Sequence, residues 1–136
     1  MKTRSDFEGV ELDWFAVDAG GFVALMSSAG FGPIPDVVFE RFEGQRRIEE
    51  SFGGIIGTSP SADLCLVQQL LSLAGVFVFD WKHWDGPYQR IAVPPQPRRV
   101  DDFGFSQELR EAFVAVPGCF STSVELRPEL YLPCAS

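Results

Sequence analysis

The chain has 136 residues, of which 46% are hydrophobic, 22% charged and 13% aromatic, a balance that excludes wholesale disorder and supports one domain, 1–136, with a self-sufficient core. Nineteen Asp and Glu against eleven Lys and Arg give a net charge of −8, a field that repels phosphate backbones and argues against direct nucleic-acid binding. Three widely spaced cysteines, Cys65, Cys119 and Cys134, form neither a disulfide framework nor a zinc-spaced set, and fit a reducing cytoplasm.

The first residues, Met1 to Glu11, are polar and lack the apolar stretch of a secretory signal. Glu11 to Asp18 reads as a strand, with Leu12, Trp14 and Ala16 on one face and Asp13, Phe15 and Val17 on the other. Ala19-Gly20-Gly21 supplies a hairpin turn, and Phe22 to Ser28 returns as a strand apolar on both faces. A breaker-rich loop, Ala29 to Pro35, leads into a helix from Asp36, with Val38, Phe39 and Phe42 as its apolar stripe. Glu43 and Arg47 stand at i, i+4, worth about 0.3 kcal/mol as a pair, and Gly53-Gly54 reads as the helix stop.

A second helix, Asp63 to Ala74, is apolar nearly all round, which predicts the most buried helix of the fold and an inert thiol at Cys65. The same segment is too short and too polar to cross a bilayer. Val76 to Trp81 and Tyr88 to Val93 form a second hairpin around Asp85-Gly86, with a loop expected at about four residues or fewer. Pro94-Pro95-Gln96-Pro97 must be an extended connection. Ser106 caps a short helix, Gln107 to Val114; Cys119 to Leu126 alternates as a last strand, and the tail from Arg127 is irregular. The order predicts an α+β fold: a mostly antiparallel sheet of two hairpins plus a C-terminal strand, with two or three helices packed on one face.

Catalytic signals are thin. His83 is the sole histidine and reads as a turn residue on an aromatic hairpin, although Asp85 two residues on would share its face on a strand. The carboxylate pairs Glu49-Glu50 and Asp101-Asp102 read as solvated faces. The glycine-rich Gly53 to Ser59 lacks the lysine of a phosphate loop. No catalytic residue, metal ligand or cofactor is expected. The acidic excess is denser in the N-terminal half, which suits a basic protein partner.

Glu11-Leu12-Asp13-Trp14-Phe15-Ala16-Val17-Asp18, then Gly20-Gly21-Phe22-Val23-Ala24, then Ser27 to Pro35, resembles a group of small bacterial immunity proteins. These are encoded beside polymorphic toxins such as Rhs-type or contact-dependent effectors. The shared pattern is an acidic-Trp-Phe-Ala-x-Asp strand, a glycine turn, a returning strand and a glycine- and proline-rich exit. The resemblance implies a cytoplasmic protein without catalysis, which binds a cognate toxin or effector C-terminal domain and blocks its active site or substrate approach. Neither nucleic acid nor membrane is an expected partner. The candidate contacts are Glu40, Glu43, Glu49, Glu50, Asp80, Trp84 and Asp85, with Asp101 and Asp102 on a loop in reserve. Two other readings stay open: a small-ligand-binding or regulatory module using the aromatic hairpin around Trp81–Trp84, and an enzyme using His83.

Overall fold

Both expected hairpins form in the computed structural model, which describes residues 12–58 and 63–134. Strand β1 (Asp13–Val17) pairs antiparallel with β2 (Val23–Ser27), setting Trp14 opposite Met26. Strand β3 (Phe77–Trp81) pairs antiparallel with β4 (Tyr88–Ala92), setting Trp81 opposite Tyr88. The expected start of the first strand, Glu11, lies outside the described residues.

The hairpins are joined through β2 and β3, which run parallel. Two short strands complete the sheet: β5 (Val114–Ala115) beside β1 in parallel, and β6 (Glu125–Leu126) beside β4 in antiparallel sense. The order is β5-β1-β2-β3-β4-β6. The fold is α+β, but its sheet is mixed rather than mostly antiparallel. Between β2 and β3 the chain carries α1 (Asp36–Glu40), α2 (Phe42–Ile56) and α3 (Leu64–Leu73). A crossover of that length returns the chain to the end of the sheet where β2 began, so β3 starts in the same direction.

Side-chain alternation splits the core in two. Trp14, Met26, Phe77, Phe79 and Tyr88 face one layer, closed by Ile34, by Val38 and Phe39 of α1, and by Phe120. Phe15, Val23, Leu25 and Val78 face the other, beneath Ile48 and Phe52 of α2, Leu71 of α3 and Ala112 of α4 (Gln107–Ala112). Three helices therefore share one face, as expected, while α1 lies on the opposite one.

Local departures have local causes. The helix expected from Asp36 breaks at Arg41 (φ −109°, ψ 28°), whose guanidinium donates to the Phe113 carbonyl at 3.1 Å. Gly53-Gly54 does not stop it: α2 runs on to Ile56 and ends at Gly57, which adopts φ +72°. There the amides of Gly57 and Thr58 donate to the Gly53 carbonyl at 2.9 and 3.2 Å. Arg47 pairs with Glu108 at 2.9 Å rather than with Glu43, and the i, i+4 pair that forms is Arg46–Glu50 at 3.9 Å.

Helix α3 is not the most buried helix. Only Leu71 of it is buried, while Leu64, Cys65, Leu66 and Leu73 are exposed. The sheet face beneath is shared with α2 and α4, so only one stripe of α3 reaches the core, and Cys65 is a surface thiol. The second hairpin's loop spans Lys82 to Pro87, longer than expected, and includes a cis Gly86-Pro87 bond. The expected strand 119–126 shrinks to β6, because Thr122 and Ser123 donate back to the Cys119 carbonyl in a turn. Helix α4 stops at Ala112, freeing Val114 for β5, while Ser106 caps it by accepting from the Leu109 amide at 3.3 Å. Among the described residues the tail is irregular apart from a 3-10 turn, Pro128–Leu130, and an isolated bridge between Cys134 and Pro35. Among the described residues no helix is long and apolar enough to cross a membrane.

Candidate functional site

A cleft of about 520 Å³ opens between α2 and α3 above β1 and β2. Its floor is Phe15, Leu25, Phe52 and Leu71, and its α3 wall is Leu64 and Val67. Each position follows from local periodicity. Alternation along β1 turns Asp13 and Phe15 toward the helices, and Leu64, Val67 and Leu71 fall at i, i+3 and i+7 of one helix face. The opposite wall is the last turns of α2, with Gly53, Gly54 and Ile56. Asp13, Glu49 and Glu50 stand at the rim.

Gly53 and Gly54 are unusual in a helix that the fold depends on. A glycine within a helix costs about 0.5–1 kcal/mol relative to alanine. Gly44, farther up α2, has a packing reason, since a Cβ there would lie 2.5 Å from that of Ala112. Among the described residues Gly53 and Gly54 have none: a Cβ at Gly53 would meet only the Thr58 carbonyl at 3.8 Å, and one at Gly54 would meet nothing within 4 Å. What they do is keep the α2 wall of the cleft low.

The acids extend beyond the rim. Cross-strand pairing sets Asp13 beside Ser27, Ser27 beside Asp80 and Asp80 beside Gln89. This row crosses β1 to β4 on the face that carries α2 and α3. Ser27 is buried in it, its hydroxyl accepting from Gln68 of α3 at 3.3 Å.

The candidate contacts fall in three places. Glu49 and Glu50 line the cleft together with Asp13, and Asp80 lies in the polar row two strands from Asp13. Glu40 ends α1 and Glu43 opens α2, both exposed at the junction of those helices. Trp84 and Asp85 occupy the loop of the second hairpin, where Trp84 is 86% exposed. Asp13 was missed as a site residue; its apolar strand neighbours make it read as a strand end. The reserves Asp101 and Asp102 have local partners: Asp101 pairs with Arg110 at 3.0 Å, and Asp102 accepts from the Arg99 amide at 2.9 Å.

The aromatic hairpin separates its tryptophans. Trp81 is buried against Tyr88 at 5.1 Å between ring centroids, and its indole N–H donates to the Trp84 carbonyl at 3.3 Å. The ring also covers Gly86 so closely that a Cβ there would sit 2.0 Å away. Trp84 points the other way, into solvent, and the cleft's lining includes no residue of this hairpin. His83 is exposed on the same loop. Among the described residues no three His, Cys, Asp or Glu side chains are grouped to hold a metal ion. One thiol is perturbed: burial first, then the charges of Glu129 and Asp36, push Cys134 up to about 11.

The arrangement can therefore bind: an apolar floor gains from excluding water, and the rim favours a positively charged counterpart. No family model, curated protein or solved structure matches this chain.

Proposed function

We propose that this protein is a cytoplasmic immunity protein that binds a cognate toxin or effector C-terminal domain and neutralises it by covering the active site or the approach of substrate. The observation that carries the reading is the apolar cleft between α2 and α3 with Asp13, Glu49 and Glu50 at its rim, on a chain of net charge −8. The first hairpin's resemblance to polymorphic-toxin immunity proteins supplies the biological setting. A toxin domain that works on nucleic acid or nucleotides carries a basic groove, and an acidic protein competes for that groove with steered, fast capture. The exposed Trp84 adds a rigid aromatic anchor of the kind that dominates interface energies. Nothing in this mode of action needs turnover. The test is co-expression with the toxin domain encoded beside the gene: growth is restored and the two polypeptides co-purify. Unrelieved toxicity with no complex would refute it.

A second reading, a small-ligand-binding or regulatory module, is favoured by one observation. The cleft's volume of about 520 Å³ lies within the range of small-molecule pockets. That reading moves the ligand from the aromatic hairpin to the α2–α3 cleft. A metabolite screen by thermal shift separates the two, since a ligand held only by the native form raises the melting temperature.

A further inference from the structure

Among the described residues no neighbour requires Gly53 and Gly54, which weaken α2, and both line the same cleft. A helix keeps such residues at no packing gain where another chain must come close to its backbone. The space beside them is apolar on its floor and on the α3 wall. Among the described residues its entrance carries three carboxylates, Asp13, Glu49 and Glu50, and no Lys or Arg lines it. Leu64, exposed at one end of the α3 wall, continues the apolar surface outward.

We infer that this cleft receives the apolar ridge of a helix from the partner, with Lys or Arg residues flanking that ridge and meeting Asp13, Glu49 and Glu50. The inference rests on the reading of a basic polypeptide partner and deepens it by naming the element that docks. Walls made of two helices suit a helix laid in a groove, read by apolar side chains at i, i+3 or i+4, and i+7. Charge complementarity excludes an acidic amphipathic helix, and the missing side chains at Gly53 and Gly54 let the ridge sit against the α2 backbone.

The test uses the whole protein and two synthetic amphipathic helices of identical leucine spacing, one with lysine and one with glutamate on the polar face. Calorimetry should show binding of the leucine–lysine helix and none of the leucine–glutamate helix. Gly53→Leu, which fills the cleft, should weaken binding at least about tenfold, a change of about 1.4 kcal/mol. The pair Glu49→Lys/Glu50→Lys should do the same, whereas Glu125→Lys/Glu129→Lys, outside the cleft's lining, should change affinity by less than about threefold. Equal affinity of Gly53→Leu and the native sequence overturns the inference, as does equal weakening by the two lysine pairs or binding of the glutamate helix. Should Gly53→Leu fail to fold, amide shifts of the native protein decide: Gly53, Gly54, Val67 and Leu71 must respond to the lysine helix, and silence there refutes the docking. Because neither peptide is a toxin, a cleft that binds in a protein that never rescues growth refutes only the neutralisation reading. Rescue with an unresponsive cleft refutes only this inference.

Discussion

The side-chain amide of Gln45 substitutes for a neighbouring strand beside Phe15. Its Oε1 accepts from the Phe15 amide at 2.8 Å, and its Nε2 donates to the Phe15 carbonyl at 3.0 Å and to the Ala112 carbonyl at 2.8 Å. Phe15 lies one residue before the point where β5 begins to pair with β1, so without Gln45 its backbone groups would be buried unmade. A buried unsatisfied group costs about 1–3 kcal/mol. Gln45→Leu should therefore destabilise the fold by about 3 kcal/mol, read as a lower urea midpoint with unchanged slope. Gln45→Glu should also destabilise, because a carboxylate cannot donate to the two carbonyls. A variant within about 0.5 kcal/mol of the native protein would refute this role.

The cleft glycines predict the opposite sign. Gly53→Ala and Gly54→Ala should each stabilise the protein by about 0.5–1 kcal/mol, since both sites are helical and open. Denaturant melts measure it. Gly57→Ala, at φ +72°, should destabilise instead. Loss of stability in the first two would mean that the cleft wall has a structural need for glycine.

Trp84 is set apart from Trp14 and Trp81, both buried. Trp84→Ala should leave the melting temperature unchanged while weakening the toxin complex by about 2 kcal/mol or more, the range of an aromatic anchor. In the native protein, fluorescence should shift to the blue as the complex forms, and Trp84→Phe should abolish the shift. An unshifted spectrum in a formed complex would exclude Trp84 from the interface.

Cys134 gives a signature in alkali. Its thiol is raised from near 9.0 to about 11, so the folded state keeps the proton after the unfolded chain has lost it. The stabilisation from this group is complete below pH 9.0 and is lost as pH rises through about 11. Iodoacetamide at pH 9 should modify the exposed Cys65 and Cys119 ahead of Cys134. Alkylation of Cys134 at the same rate would contradict its environment.

Strands and turns were legible wherever their cause is local. Alternation of Trp14, Ala16 and Phe15, the left-handed Gly21, and the Ser106 cap are all set by near neighbours. The parallel joining of β2 and β3 was not legible, because a strand buried on both faces shows the same alternation beside either partner. Helix α3 misled for a related reason: its apolar residues all round announce burial, but the area available beneath it is set by α2 and α4. Of the site, the acids Glu49 and Glu50 were readable as a charged helix face. That they line one cleft with Asp13 depends on the crossover, which brings α2 back over β1. Gln45 carried no signal at all, since a lone glutamine in a charged helix reads as solvated.

The most direct measurement is calorimetric titration of this protein with the toxin domain encoded beside its gene, at low and at raised salt. The expected result is a one-to-one complex whose association slows and whose affinity falls as salt screens Asp13, Glu49 and Glu50. Absence of binding at any ionic strength, with toxicity unrelieved in cells that contain both polypeptides, would contradict it.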